Sequence, residues 1–413
     1  MIHQPPAGTR DLLPLDVAQK RWIFDRLQHV FQQWGYQRII TSTLERMDSL
    51  VAGGAIDPAT VVRVEDASEG RLGLRPELTA SIARAAVTRM AGSNYPQRLY
   101  YNANVFRRFS GGHHGKQMEF YQTGVELLHA PGGLADTEIL LLLAQSLQKL
   151  GLTDWHLILG EAELTRSLLS LFPESIRQVV RHCIAHLDRV TLESLPHPDL
   201  TDGLRERGLM LFDLRGKPAD VLQTVSEWDL DTQCRKIVND LKILCDRLDN
   251  SVPNLPIILD LSLIQTIDYY TGIVFEVVFT QNSQCRVLGK GGRYDRLLEL
   301  YHPEGMQHSG IGFALNLEEL HACLLSSEEL PRSTPASDWL VVPTSPQAEI
   351  AAITYAQTLR NSEHLVRVEL DLGGRSPEGI LEYARTARIS RLVWIEADGT
   401  PKIESLTGEN GEK

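Results

Sequence analysis

Two strand-forming segments bracket one polar knot, and that arrangement restricts the folds open to this chain. Residues 257–263 are apolar and β-branched, and residues 273–279 are rich in Val and Phe. Both read as strands packed on a core. Between them stands Asp268-Tyr269-Tyr270-Thr271-Gly272. A carboxylate and three hydroxyls beside a sheet core are costly to bury unless they meet partners. The run is either a hydrogen-bonded corner or the floor of a small-molecule pocket. In both cases the fold must bring other polar side chains to it.

The remaining pattern places those partners in an α+β body. Residues 15–34 carry Ala18, Trp22, Ile23, Leu27, Val30, Phe31 and Trp34 at helical spacing, and Gly35 ends the run. A strand is expected at 36–41, a helix at 44–51 and a hairpin from 61–64 and 71–74. Pro76 reads as an early position of a helix over 80–90. Strands at 98–106 and 120–127 enclose the polar loop 107–116. A helix at 136–150 and a strand at 155–160 follow. Trp22, Trp34 and the apolar run 139–150 read as core. Residues 161–249 are helical and amphipathic with a Pro-containing break at 195–200, which predicts a helical insertion over about 161–250. The glycine-rich run 289–295 reads as a turn into a short helix, 310–315 as a strand and 316–325 as a helix. Residues 1–325 thus form one body, 326–337 a polar linker, and 338–405 a small α/β domain. In that domain strands at 339–342, 366–370 and 392–395 alternate with helices at 347–360 and 377–388. Residues 406–413 read as a flexible tail.

Composition excludes several classes. The formal net charge is −12, with 53 acidic against 41 basic residues, which argues against a protein devoted to nucleic-acid backbones. No apolar run reaches the roughly 18 residues of a membrane span, and the N-terminus lacks the pattern of a signal peptide. The five cysteines lie far apart without a Cys-x-x-Cys pair, which points to reduced thiols in a cytoplasmic protein and no zinc site. His113-His114 reads as part of a mobile polar loop, since no third metal ligand is evident. Gly289 to Gly292 is no phosphate cradle, because no Lys-Ser/Thr follows. No cofactor is expected.

Leu74-Arg75-Pro76-Glu77-Leu78-Thr79, Phe106-Arg107, Gln122-Thr123-Gly124-Val125-Glu126 and Asp268-Tyr269-Tyr270-Thr271-Gly272 form an ordered set. With Gly291-Gly292-Arg293-Tyr294-Asp295 and Gly310-Ile311-Gly312-Phe313, the set resembles class II histidyl-tRNA synthetase in order and spacing. The resemblance covers about residues 5–325, with a weaker match of 338–400 to that family's anticodon-binding domain. It implies a class II aminoacyl-tRNA synthetase-like antiparallel sheet flanked by helices, and self-association through that family's dimer interface. Glu77, Gln122 and Glu126 have the chemistry to hold an ammonium group and orient an imidazole. Thr79 adds a hydroxyl, and Tyr269 and Tyr270 offer flat walls with polar tips. Arg107 matches the family's motif 2 arginine, which implies contact with a carboxylate or phosphate through a charge-assisted fork. The expectation is a histidine pocket; the competing reading is a relic network of buried polar groups.

The departures from the synthetase pattern fall on ATP handling. Adenylate formation needs preorganised cations around a phosphate in flight, and losing one such donor costs roughly 10²–10³ in rate. Gln265 stands where the family has an arginine, and Thr266 where it has a glycine. Glu319 stands where the motif 3 arginine would hold ATP phosphates. Phe109 replaces the motif 2 glutamate, and Ser42 the motif 1 proline. A chain that keeps the amino-acid pocket but loses these groups resembles the regulatory-subunit family of ATP phosphoribosyltransferase. The resemblance implies a non-catalytic partner of the short catalytic subunit in the first step of histidine biosynthesis, with feedback inhibition by histidine and no tRNA. An active histidyl-tRNA synthetase with divergent ATP-site residues is the alternative, and a free-standing histidine- or RNA-binding module a third. From Ala336 onward 8 basic residues face 12 acidic ones, so the C-terminal domain reads as a reduced remnant for packing or docking.

Overall fold

The computed structural model describes residues 3–54, 56–66, 70–92, 96–108, 117–263, 270–281 and 284–406. Within the chain two compact units are distinguished, Met1–Pro331 and Arg332–Lys413. The first is built on a nine-stranded sheet. Its strands lie in the order Gln37–Arg38, Gln97–Phe106, Glu119–Leu128, Gly310–Asn316, Gln284–Arg293, Ile273–Gln281, Trp155–Glu161, Ile257–Asp260 and Arg215–Gly216. The six from 97–106 to 155–161 are antiparallel to their neighbours. Parallel pairing enters where 37–38 joins 97–106 and where 257–260 joins 155–161.

Alternating side chains bury one face of this sheet under helices Pro14–Gln33 and Gly133–Lys149, through Ile23, Leu27, Val30 and Phe31 from the first and Ile139, Leu143 and Leu147 from the second. Trp22 and Trp34 are half-buried against that core rather than inside it, with the Trp34 indole N–H donating to Gln145 Oε1 at 2.7 Å. Between Glu161 and Ile257 the chain forms six helices, from Ala162–Ser170 to Thr232–Ser251, with strand Arg215–Gly216 among them. Their apolar residues, Leu164, Phe172, Val180 and Leu241 among them, belong to the same core as the sheet. The insertion is thus packed into the body and not hung beside it.

Three local expectations give way to tertiary context. Residues 44–46 form a strand, and only Met47–Val51 is helical, because Leu44–Arg46 pairs with Gly70–Leu74 in a three-stranded sheet that also holds Val62–Asp66. Of 36–41 only Gln37–Arg38 is paired. The glycines of the run 289–295 form no turn: Gln284–Arg293 passes through them as an interior strand, and the turn into the short helix Leu297–Tyr301 comes only at 295–296. A Cβ on Gly291 would stand 2.5 Å from the Phe275 ring, and one on Gly292 2.7 Å from the Tyr270 ring. These glycines admit aromatic rings onto the sheet face, which is the other physical use of glycine in a strand.

The Arg332–Lys413 unit carries a four-stranded sheet in the order Val368–Leu370, Trp339–Pro343, Arg391–Ile395, Pro401–Ser405. The first three are parallel and the last is antiparallel. Helix Glu349–Arg360 covers one face through Ala352 and Ala356, and Pro377–Thr386 the other through Ile380 and Ala384. Strand 401–405 is exposed throughout, so it has no apolar period to betray it. Leu406 donates its N–H to the Ser390 carbonyl; the rest of the tail expected at 406–413 lies outside the described residues. Among the described residues no helix is long and apolar enough to cross a membrane, and no group of His, Cys, Asp and Glu could hold a metal ion. The His113-His114 loop lies outside them.

Candidate ligand-binding site

The site begins where strand Gly70–Leu74 hands over to helix Thr79–Val87. Pro76 lies outside that helix; Glu77 supplies its start. The Glu77 carboxylate accepts from the backbone N–H groups of Thr79 (2.5 Å) and Ala80 (3.0 Å), which satisfies orphan donors at a positively polarised helix end. The buried Arg75 fixes the segment from behind. Its guanidinium donates to the carbonyls of Thr41, Ser42 and Asn104. Thr79 Oγ1 then donates to Glu126 Oε1 at 2.7 Å, and the Tyr294 hydroxyl donates to Glu126 Oε2. Gly312 pairs in register with Glu126, and a Cβ there would overlap its carboxylate; a Cβ on Gly310 would overlap the Tyr294 ring. Two glycines on the neighbouring strand therefore make the space for the tyrosine–glutamate pair.

These groups wall a cavity of about 990 Å³, at the upper end of small-molecule sites. Glu77, Thr79, Arg107, Gln122, Glu126 and Tyr270 all line it; Tyr269 lies outside the described residues. Gln122 is buried, and its Oε1 has no hydrogen-bond partner among the described residues. Arg107 donates through Nε to the Pro76 carbonyl at 2.8 Å and sits 5.4 Å from the centre of the Phe120 ring. Burial raises the Glu126 carboxyl to about 8; the hydrogen bonds from Tyr294 and Thr79 oppose the rise, and the Glu77 charge adds to it. Burial also raises Glu77, against the donors at Ala80 and Thr79 and the positive charge of Arg107. Tyr294 and Tyr301 line the same cavity, and neither draws attention as a ligand group in the sequence. For Tyr294 the signal was the Gly310-x-Gly312 spacing, which leaves room for a ring and a carboxylate.

A second lobe of the cavity reaches helix Leu317–Leu324. Asn316 caps that helix by accepting from the N–H groups of Glu318 and Glu319. Glu319 does line the cavity, but its carboxylate is held by Arg286 at 2.9 Å. Glu318 meets Lys20 at 2.5 Å and accepts from the Tyr121 N–H. The acids at this helix start are thus matched within the chain. Phe109 and Gln265 lie outside the described residues. Arg293, from the Gly-Gly-Arg-Tyr-Asp run, is a buried brace: it meets Asp136 at 2.6 Å and Asp295 at 3.0 Å.

A mostly antiparallel sheet backed by helices, with a pocket of carboxylates, a glutamine, an arginine and tyrosines on its face, defines a chain of the class II histidyl-tRNA synthetase type. A histidyl-tRNA synthetase family model matches residues 8–320. The histidyl-tRNA synthetase of Nostoc shares the fold, with a TM-score of 0.73 at 19% identity over 97% of this chain and 96% of that one. Among curated relatives, the ATP phosphoribosyltransferase regulatory subunit of Gloeothece citriformis is 64% identical over 98% of this chain and the whole of that protein. That of Picosynechococcus is 61% identical over the same shares. A Bacillus halodurans structure described as an ATP phosphoribosyltransferase regulatory subunit/histidyl-tRNA synthetase superposes with a TM-score of 0.80 at 25% identity, over 96% of this chain and 99% of that one. This chain belongs to the family of ATP phosphoribosyltransferase regulatory subunits, a branch of the histidyl-tRNA synthetase fold.

Proposed function

We propose that this chain acts as a non-catalytic, histidine-sensing subunit of an ATP phosphoribosyltransferase complex, required for the first step of histidine biosynthesis and carrying its feedback inhibition. The observation that carries the reading is the pairing of two environments in one cavity. The amino-acid lobe keeps the half-buried Glu77 and Thr79 and the buried Gln122 and Glu126 in a converging set. The lobe beside it presents Glu319 bound to Arg286, where a synthetase would offer an arginine to phosphate. Histidine in the first lobe then acts by coupling: it binds two arrangements of the complex unequally and shifts their balance. The short-form catalytic subunit holds the ATP and phosphoribosyl pyrophosphate sites. Self-association uses the synthetase-like dimer surface, a reading supported by a groove lined by Val17 and Arg38 and by exposed Leu13 and Ile40. The acidic Arg332–Lys413 unit serves packing or docking and binds no tRNA.

Two measurements test this. Purified chain given histidine and ATP is expected to show no pyrophosphate exchange; rapid exchange means an active synthetase instead. Calorimetric titration of histidine is expected to show binding that Glu126→Ala abolishes. Unchanged binding in that variant moves the histidine site out of this cavity.

A further inference from the structure

We propose that the Glu77–Glu126 pair shares one proton in the empty pocket and expels it to solvent when a ligand ammonium group enters. The proposal rests on the histidine reading above and adds a proton to its equilibrium. The pair passes from one negative charge to two, the ligand nitrogen keeps its three protons, and one proton goes to buffer.

The geometry sets this up. Both carboxylates hang on one residue: Thr79 gives its backbone N–H to Glu77 at 2.5 Å and its hydroxyl to Glu126 at 2.7 Å. Glu126 is only 2% exposed. Around it stand Glu77 from the helix start, Tyr101 from strand 97–106, Tyr294 from the end of strand 284–293, and Tyr270. Strand 310–316 contributes Gly312, with no side chain. Tyr301 faces Glu77 across the cavity, and Tyr36 acts on Glu126 from further off. The positive charge felt at Glu77 is that of Arg107, whose Nε is committed to the Pro76 carbonyl. Arg10 and Lys290 line the wider cavity, Lys290 in an ion pair with Glu276. Two like charges hung on one residue in a shared site resist ionising together. Burial raises both groups, and the Glu77 charge raises Glu126 further. An arriving ammonium supplies the missing positive charge, and its own proton is held too tightly to be exchanged.

The test is calorimetric titration of L-histidine into the full chain at pH 7 in two buffers of different ionisation enthalpy. Release of close to one proton is expected. Affinity should rise about tenfold per pH unit from pH 7 to about 8, above the imidazole's own titration, and flatten beyond. Glu126→Gln should remove the proton release. Because that variant also touches the ligand, Tyr294→Phe serves as a second. It keeps both carboxylates but removes a hydroxyl that favours the ionised form, so the flattening should move to higher pH. Buffer-independent heats with flat affinity in the unaltered chain, or an unshifted profile in Tyr294→Phe, overturn this proposal alone. Absence of histidine binding at every pH overturns it together with the histidine reading.

Discussion

Glu126→Gln should yield a chain that unfolds at higher temperature than the unaltered protein at pH 8, and at slightly lower temperature at pH 4. Burial lifts the Glu126 carboxyl from its ordinary 4.5 to about 8. Between those values the folded chain holds a proton that the unfolded chain releases, so stability falls as pH rises across the window and levels off above it. Glutamine cannot ionise and escapes the loss. The full difference is on the order of 4 kcal/mol, less about 1 kcal/mol for altered hydrogen bonds to Thr79 and Tyr294. Thermal melts of both proteins from pH 4 to pH 9 measure it. Parallel curves would mean that Glu126 titrates in the folded chain as it does in the unfolded one. The prediction joins stability to function: a buried acid kept at a cost is expected where a ligand, and not the fold, gives it its partner.

The second large effect lies behind the pocket. Asp136→Ala should cost about 3 kcal/mol in urea unfolding. The variant leaves the Arg293 guanidinium, 8% exposed in its side chain, with Asp295 as its remaining ion-pair partner; stripping one member from a buried pair costs roughly 3–5 kcal/mol, and Asp295 retains part of it. Arg293→Met with Asp136→Leu should recover much of the loss, because an apolar pair of similar size leaves no charge behind. The brace also bears on the site. The Arg293 carbonyl accepts from the Thr271 N–H at 2.7 Å, and Thr271 Oγ1 accepts from the Asp295 N–H at 2.8 Å. This ties the end of the Asp-Tyr-Tyr-Thr-Gly run to the strand that carries Tyr294. Histidine affinity should therefore weaken in Asp136→Ala even under conditions where the protein is folded. Undiminished affinity would make the brace purely structural.

What the sequence determined by itself was whatever rests on local period and on the chemistry of short runs. Helical spacing located Pro14–Gln33, and the short mixed apolar runs on either side of the polar loop located the strands at 97–106 and 119–128. The motif runs nominated Glu77, Thr79, Arg107, Gln122, Glu126 and Tyr270, all of which reach one cavity. Composition could not reveal that Glu77 caps a helix, since capping depends on where the backbone N–H groups point. It could not reveal the Tyr294–Glu126 contact either, which joins residues 168 positions apart. Gly291 and Gly292, with Gly289, read as a turn because glycine is the usual residue of turns. Only strand packing shows Gly291 making room for Phe275 and Gly292 for Tyr270. Likewise Glu319 was legible as a reversed charge, but its ion pair with Arg286 needs two segments to meet. Asp268-Tyr269-Tyr270 suggested a pocket from composition alone. For Tyr270 and Thr271 the fold supplied partners, because a buried polar group is satisfied by whatever the tertiary structure brings within hydrogen-bond reach, and that distance is not written along the chain.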